Sequence, residues 1–414
     1  MIRALGFFAI AATFVAAPVL ADEPDGLILP PGFHATIVAD GLKGARHMAF
    51  GDNNNLYIST SVPRGQPPIG VIALHLGADH KADQIEKFGT VSGGTGIRVY
   101  KGGLYVASPT TIYRYTLSNS LVPTGEPEAV IDGMPANGGT HPIAFDNKGN
   151  FYVSLDGTGN TCVAADSPKV GLKPCPGLTD RSGVWQFDAG KTGLKFPADG
   201  TQIATGIRNM GAMDWSPEIG ALYGVTHGRD KTHVEFPDLV SASDDDAIAD
   251  EMHRIVKGSN MGWPYTYYDD VRKVRLAGPE YGGDNKTPVE AGVYDTPVLA
   301  FANTRRAPLD LAFYEGSQFP DSYRGGAFIV FHGVNGPPIP GGHGGYDVLF
   351  VPMDKSGKVG LPQKFAEGFA GPTPDDKYSD HAIYRPVGQA VGPDGALYVV
   401  DSQKGRLWRI AYGN

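Results

Sequence analysis

One short phrase recurs along this chain. A polar turn of Gly, Asp or Asn leads into an aliphatic or aromatic residue, then an aromatic one, then a β-branched one. It stands at Asn55-Leu56-Tyr57-Ile58, Gly103-Leu104-Tyr105-Val106, Asn150-Phe151-Tyr152-Val153 and Ala221-Leu222-Tyr223-Gly224-Val225, and again at Gly326-Ala327-Phe328-Ile329-Val330 and Ala396-Leu397-Tyr398-Val399. Aromatic and β-branched residues bounded by turn formers predict strands. A further apolar segment follows each copy, at 70–76, 111–117, 183–188, 251–257, 346–353 and 405–412, and earlier strands show at 48–50 and 143–145. A unit of about four strands used six times predicts an all-β fold, a six-bladed β-propeller. A large β-sandwich is the alternative. The copies spread over residues 22–414 as one ring, which allots about 65 residues to each blade against roughly 40–50 in compact blade repeats. Long loops must therefore separate the strands. Most of the surplus lies in 229–320, where Asp244-Asp245-Asp246 reads as a solvated loop.

Composition narrows the class. The 414 residues include 57 Gly and 33 Pro, which disfavours helix interiors. Hydrophobic residues make up 41 % and aromatics 10 %, enough for a large core and too much for a disordered chain. A formal net charge of −9 argues against nucleic acid as a partner. Residues 1–21 read as a signal peptide: Arg3, an apolar stretch to about Val19, then Val19-Leu20-Ala21 before the polar Asp22-Glu23-Pro24-Asp25. An uncleaved anchor is the alternative, and no later segment is apolar over 18 residues. The mature chain, 22–414, is expected to be periplasmic or secreted, with no membrane span after cleavage. In an oxidising compartment Cys162 and Cys175 are expected to form a disulfide, with two free thiols as the alternative. No Cys-x-x-Cys-His is present, so no covalently attached haem is expected, and two cysteines do not make a structural zinc site.

Chemistry is expected where strands end over the central channel. The residues just after the repeated phrases are Ser59-Thr60-Ser61, Ser108, Leu155-Asp156-Gly157, His227-Gly228-Arg229-Asp230, His332-Gly333 and Asp401-Ser402. Three longer segments are more specific: Gly206-Ile207-Arg208-Asn209-Met210, Asp250 through Gly258-Ser259-Asn260-Met261-Gly262-Trp263-Pro264, and Arg385-Pro386-Val387-Gly388-Gln389 running into Pro393-Asp394-Gly395-Ala396-Leu397-Tyr398. Together with Leu29-Pro30-Pro31-Gly32-Phe33 and Gly44-Ala45-Arg46-His47-Met48-Ala49-Phe50-Gly51, they make the chain resemble the glucose/sorbosone dehydrogenase family from about Leu27 to Ile410. The match is nearest to its sorbosone-dehydrogenase-like branch. These are soluble quinoproteins that use pyrroloquinoline quinone (PQQ).

The resemblance implies a six-bladed propeller that oxidises an aldose or related aldehyde, with PQQ and Ca²⁺ as cofactors. A His takes the hydroxyl proton, hydride passes to the quinone, and electrons leave to an external acceptor such as a cytochrome or the quinone pool. His141, in Gly138-Gly139-Thr140-His141-Pro142-Ile143, matches the base, although it stands closer to its strand than the family pattern has it. Arg208 and Asn209 match the pair at the quinone, where a fixed guanidinium stabilises arriving negative charge. His227 and Gly228 match a cofactor contact, and the backbone carbonyls of Gly228 and Arg229 match ligands of Ca²⁺. Arg385 matches a basic residue at the PQQ carboxylates. His332 stands where relatives place a Lys, and Arg46 is a further channel candidate. Trp263, Tyr265, Tyr267 and Tyr268 are expected either to wall a sugar pocket or to pack in the core. Two other functions stay open. One is a metal-dependent lactonase using Asp156 and Asp401, and the other is a non-catalytic exported binding propeller.

Overall fold

The structure, a computed structural model, describes residues 26–61, 66–91, 93–136, 141–302, 306–333, 336 and 343–413. The expected leader, 1–21, and Gly138-Gly139-Thr140 lie outside the described residues. Six sheets follow one another along the chain, each with four antiparallel strands; in blades two and three a short fifth strand, Leu194–Lys195 and Ser259–Asn260, adds in parallel at the outer edge. From the axis outward, blade one is Ala45–Phe50, Asn55–Thr60, Val71–Leu76 and Ala82–Phe88; blade two is Ile97–Tyr100, Gly103–Ala107, Thr111–Thr116 and Glu128–Asp132. Blade three is Ile143–Phe145, Asn150–Leu155, Gly183–Asp188 and Thr201–Thr205; blade four is Ala212–Ser216, Ala221–Thr226, Asp250–Ile255 and Leu299–Phe301. Blade five is Pro308–Phe313, Ala327–Phe331, Asp347–Val351 and Gln363–Ala366. Blade six takes Pro386–Val391, Leu397–Asp401 and Leu407–Tyr412, and its outermost strand is Phe33–Ala39 from the other end of the chain. Innermost strands neighbour one another in sequence order, and the last neighbours the first, so the ring is closed. The six-bladed propeller is therefore the fold.

All six copies of the recurring phrase are second strands. That position is flanked within its blade on both edges and covered on both faces by the adjacent blades. Ile58, Val106, Phe151, Val225, Ile329 and Val399 are accordingly fully buried. A strand covered on both faces is continuously apolar rather than alternating, which is why these strands stand out in the sequence. The core is a set of wedges between blades; between blades five and six it is aromatic, with Phe33, Phe319, Phe328 and Phe365 meeting edge-on or tilted. The surplus in 229–320 is an insertion in blade four. It carries short helices Thr232–Glu235 and Ala242–Ala247 and a hairpin of Thr266–Asp269 with Val274–Ala277.

The Asp244-Asp245-Asp246 run is not a solvated loop. It lies in the second helix, where Ser241 and Asp244 form a reciprocal cap, because a Ser three residues before an Asp satisfies two helix-end amides. Asp245 is buried and accepts from the Thr232 amide (2.7 Å) and from His233 Nδ1 (2.9 Å).

The inner strands put charge on the axis. Arg98, Asp214, Asp310 and His47 come from blades two, four, five and one, with His47 Nδ1 3.8 Å from Asp310 Oδ1. Asp310 accepts the Leu311 amide (2.9 Å) and the Gln389 amide (2.8 Å), yet burial outweighs these bonds and pushes its carboxyl up to about 7. A carboxyl whose folded pKa lies above its unfolded value adds stability that is complete below about pH 4 and lost as pH rises through about 7. Comparing denaturant unfolding of the wild type with Asp310→Asn should therefore show the wild type's relative stability falling between pH 4 and 7 and flat above. A relative stability that rises over that range contradicts the assignment.

Candidate active site

Loops from blades three to six meet over one end of the channel. In an antiparallel blade the end of the second strand lies beside the start of the first, so residues far apart in sequence share one rim. There Asp156, Asn160, Arg208, Asn209, His227 and Asp230 line an open cavity of about 440 Å³. A second, smaller space of about 20 Å³ adjoins it and shares Asn160, Arg208 and His227.

Arg208 and Asn209 are held from several sides. Gly206, which precedes them, has φ +77°, and a Cβ there would come within 2.6 Å of the Gly262 amide nitrogen, so the approach admits only glycine. Asn209 Nδ2 donates to Asp156 Oδ2 (2.6 Å), and the Met210 amide donates to Asp156 Oδ1 (2.9 Å). The Asn209 carbonyl accepts the His227 amide and the Thr226 hydroxyl. Arg208 donates from Nε to Asn160 Oδ1 (3.1 Å) and from Nη2 to Asp230 Oδ2 (2.7 Å). Asn160 and Asp230 therefore position the arginine from behind. Asp230 is visible in sequence only as part of the His227 strand end, and Asn160 only as the edge of the cysteine loop. That loop is closed by the Cys162–Cys175 disulfide, which packs against Trp263 with Leu178 and Tyr265 alongside.

A second group is cationic. Arg385 Nη2 donates to the Gly333 carbonyl (2.5 Å) and to His332 Nδ1 (2.9 Å), while His332 Nε2 lies 2.8 Å from Ser402 Oγ. Arginine only donates, so His332 Nδ1 must accept and its Nε2–H must donate to Ser402. His332 is thus a neutral support for Arg385, and burial beside Arg385 and Arg46 holds it well below the usual histidine range. Arg46 is lowered to about 10 by burial and then by Arg385, and its buried Nε has no partner among the described residues.

Three expected site residues are placed differently from the others. His141 is fully buried away from the cavity, with Nε2 3.0 Å from the Pro109 carbonyl and Nδ1 3.3 Å from the Ser154 carbonyl. Pro142 and the strand starting at Ile143 follow it directly, so its ring is tucked between blades two and three, and burial keeps it below the ordinary histidine value. The Arg229 guanidinium turns from the cavity to both Glu280 oxygens at 3.1 Å and anchors the blade-four insertion. The Gly228 amide donates to Asp250 Oδ1 (2.9 Å), and Asp250, buried with Oδ2 unpartnered, is pushed up to about 7. Trp263 donates from Nε1 to the Asn160 carbonyl (3.3 Å), and Tyr267 and Tyr268 are buried in the insertion's hairpin.

The arrangement fits PQQ, an anionic tricarboxylate quinone. Arg46 and Arg385 are neighbouring buried cations, and Arg46 carries an unsatisfied donor; a carboxylate placed there would pair with both. It does not by itself fit Ca²⁺, which takes six to eight oxygens. Among the described residues no three His, Cys, Asp or Glu groups converge, and the Gly228 and Arg229 carbonyls alone do not make that shell. Asp401 is spent on the amides of Arg385, Gln403, Lys404 and Arg406, and Asp156 on Asn209 and Met210, so neither carboxylate is free for a lactonase metal.

Removing Glu280 would leave the buried Arg229 guanidinium with the longer Glu235 ion pair at 3.5 Å and the Tyr267 ring, 5.8 Å from its centre. Glu280→Ala should cost about 3 kcal/mol of unfolding free energy, measured by denaturant titration. A loss under about 1 kcal/mol, the range of an exposed pair, contradicts the anchoring role.

The chain also resembles known proteins. A 216-residue stretch is 24 % identical to an uncharacterized protein of Borreliella burgdorferi, covering 51 % of this chain and 48 % of that one, so the chain spans about half the length of the curated relative it matches. The fold superposes on the iodide structure of the Trichoderma reesei carbohydrate-active enzyme of family AA12, with a TM-score of 0.72, 17 % identity and coverage of 96 % of this chain and 100 % of that one. It superposes on the holo form of the pyranose dehydrogenase PQQ domain from Coprinopsis cinerea with a TM-score of 0.69 and 16 % identity over 93 % and 97 % of the two chains. For the PQQ-bound aldose sugar dehydrogenase from Streptomyces coelicolor the values are 0.57, 18 %, 92 % and 99 %. The TrAA12-like family profile matches residues 27–413, nearly the whole chain, and the protein belongs to that family.

Proposed function

We propose that the protein is a PQQ-dependent dehydrogenase that oxidises an aldose or related aldehyde of the sorbosone type and passes the electrons to an external acceptor, a cytochrome or the quinone pool. The observations that carry the reading are two neighbouring arginines, Arg46 with an unpartnered buried Nε and Arg385 held by His332, and a cavity walled by a fixed Arg208 and Asn209, with His332 close enough to the cavity's His227 to interact electrostatically. Bound there, the quinone would accept hydride from the substrate carbon. Arg46 and Arg385 would hold its carboxylates, and Arg208 and Asn209 would face its oxygens and stabilise the negative charge arriving with hydride.

The substrate hydroxyl proton needs an acceptor at the cavity, and His227 supports that role better than His141. Its Nε2 lies 2.9 Å from the Pro308 carbonyl, which takes the ring's one N–H in the neutral form and leaves the lone pair on Nδ1. The Pro308 contact is the only side-chain hydrogen bond of His227 among the described residues, and His227 lines the cavity. Burial, then Arg208, lowers the ring to about 4, so it is neutral at neutral pH. No step is assigned to Ca²⁺. No helix among the described residues is long and apolar enough to cross a membrane, and the leader-like residues 1–21 support a periplasmic or secreted location.

Titrating the purified protein with PQQ, followed by absorbance, should give saturable binding, and the loaded protein should reduce an artificial dye with aldoses. Failure to bind PQQ contradicts the reading; binding without turnover on any aldose or aldehyde leaves a binding propeller instead. Arg46→Ala should raise the PQQ dissociation constant by about ten-fold or more, the loss of one charged hydrogen bond. His227→Gln should lower kcat by about 10²-fold or more with PQQ still bound, whereas His141→Gln in folded protein should keep kcat within a few-fold. The reverse ranking restores His141 as the base.

A further inference from the structure

The Cys162–Cys175 loop is entered through a residue that the strand repeats do not mark. Asn160 Oδ1 accepts both Arg208 Nε (3.1 Å) and the Asp230 amide (2.8 Å), and its Nδ2 donates to the Asp230 carbonyl (2.7 Å). Asp230 in turn takes Arg208 Nη2 on its carboxylate, so the three residues close a triangle. Two of the arginine's nitrogens are thereby held from behind, while Nη1 has no partner among the described residues and Arg208 lines the cavity. A side-chain amide sets an NH₂ donor beside a carbonyl acceptor without charge, and Asn160 uses both on Arg208 and Asp230.

The mount of Asn160 is equally specific. Its carbonyl accepts Trp263 Nε1 (3.3 Å), the Cys162 carbonyl accepts the Tyr281 hydroxyl (2.9 Å), and the Cys175 amide donates to the Tyr265 hydroxyl (2.9 Å). The disulfide closes the blade-three loop two residues from Asn160, and these three hydrogen bonds tie the closed loop to the blade-four insertion. We infer that Asn160 is a positioning residue for Arg208 and that the Cys162–Cys175 disulfide loop is its mount, so that cofactor affinity follows the thiol–disulfide state of this pair. Rupture of the S–S bond takes two electrons and two protons, gives two thiols, and in the test is supplied by dithiothreitol, which closes to its own cyclic disulfide. The link to the cofactor rests on the proposed PQQ function; the hold on Arg208 does not.

Both parts are read on the full mature chain labelled with ¹⁵N-arginine. The Arg208 Nε–H signal, assigned by its disappearance in Arg208→Lys, should exchange slowly with solvent. In Asn160→Ala, and after dithiothreitol on protein that stays folded by circular dichroism, exchange should quicken at least ten-fold. Asn160→Asp, which keeps the acceptor and loses the donor to the Asp230 carbonyl, should fall between. Exchange unchanged in Asn160→Ala overturns the positioning role, and exchange unchanged on reduction overturns the mount. PQQ titration of the same samples should show a dissociation constant raised at least ten-fold in Asn160→Ala and in the reduced protein. An unchanged constant with quickened exchange overturns the link to the cofactor, while absence of binding by the wild type sinks the PQQ function and leaves the exchange result to decide the hold on Arg208.

Discussion

Two strands from opposite ends of the chain, Phe33–Ala39 and Leu407–Tyr412, pair in antiparallel register from Phe33 with Tyr412 to Ala39 with Leu407. Everything else in the molecule depends on that closure. Each second strand is apolar on both faces, so each blade is stable only with a neighbour on either side. An open row of six would expose two such faces and a long unpaired edge, which invites association with other chains. Closing the ring removes both, and it alone brings Arg46 of blade one beside Arg385 of blade six. The cationic half of the site is therefore a consequence of ring closure, and the fold's last pairing builds its chemistry.

The other half of the site is built by a different means. Blades three and four are joined over the cavity by the disulfide loop and by the blade-four insertion, through contacts of Asn160, Trp263, Tyr265 and Tyr281. The buried Arg229–Glu280 pair fixes the same insertion from below the His227 strand end. A rigid scaffold with loops pinned to one another suits a site that must hold arginines pointing inward against their own repulsion. Burying neighbouring cations is costly, and a ligand of opposite charge would offset that cost. Burial and Arg385 lower Arg46, and burial beside Arg385 and Arg46 holds His332 well below the usual histidine range.

How much of this could be read from the residues follows from burial and range. The six second strands were legible because cover on both faces makes them continuous apolar runs. The outer strand Ala82–Phe88, exposed along most of its length, carries no such signal. His227 was legible as a polar residue at a strand end, and Arg208, Asn209 and Arg385 only through the family resemblance; the fold brings Arg208, Asn209 and His227 to one cavity. His141 looked similar, yet Pro142 and the immediate start of its strand turn the ring into the inter-blade packing. Arg229 entered the candidate site only through its backbone carbonyl; its guanidinium pairs with Glu280, a partner far along the chain that spacing cannot reveal. Asn160 was hidden for the same reason: its role exists only once a blade-three loop lies against blade four. The run Asp244-Asp245-Asp246 misled because a charge cluster reads as solvated, whereas here the first Asp caps a helix and the second is buried under Thr232 and His233.

The central claim is that the cavity is a quinone site whose two halves come from ring closure and from the pinned loops. A crystal structure of the protein soaked with PQQ tests it most directly. Density for the cofactor is expected in the cavity, with carboxylates on Arg46 and Arg385 and quinone oxygens toward Arg208 and Asn209. PQQ bound elsewhere on the propeller, or a cavity filled only by solvent at saturating PQQ, would contradict it.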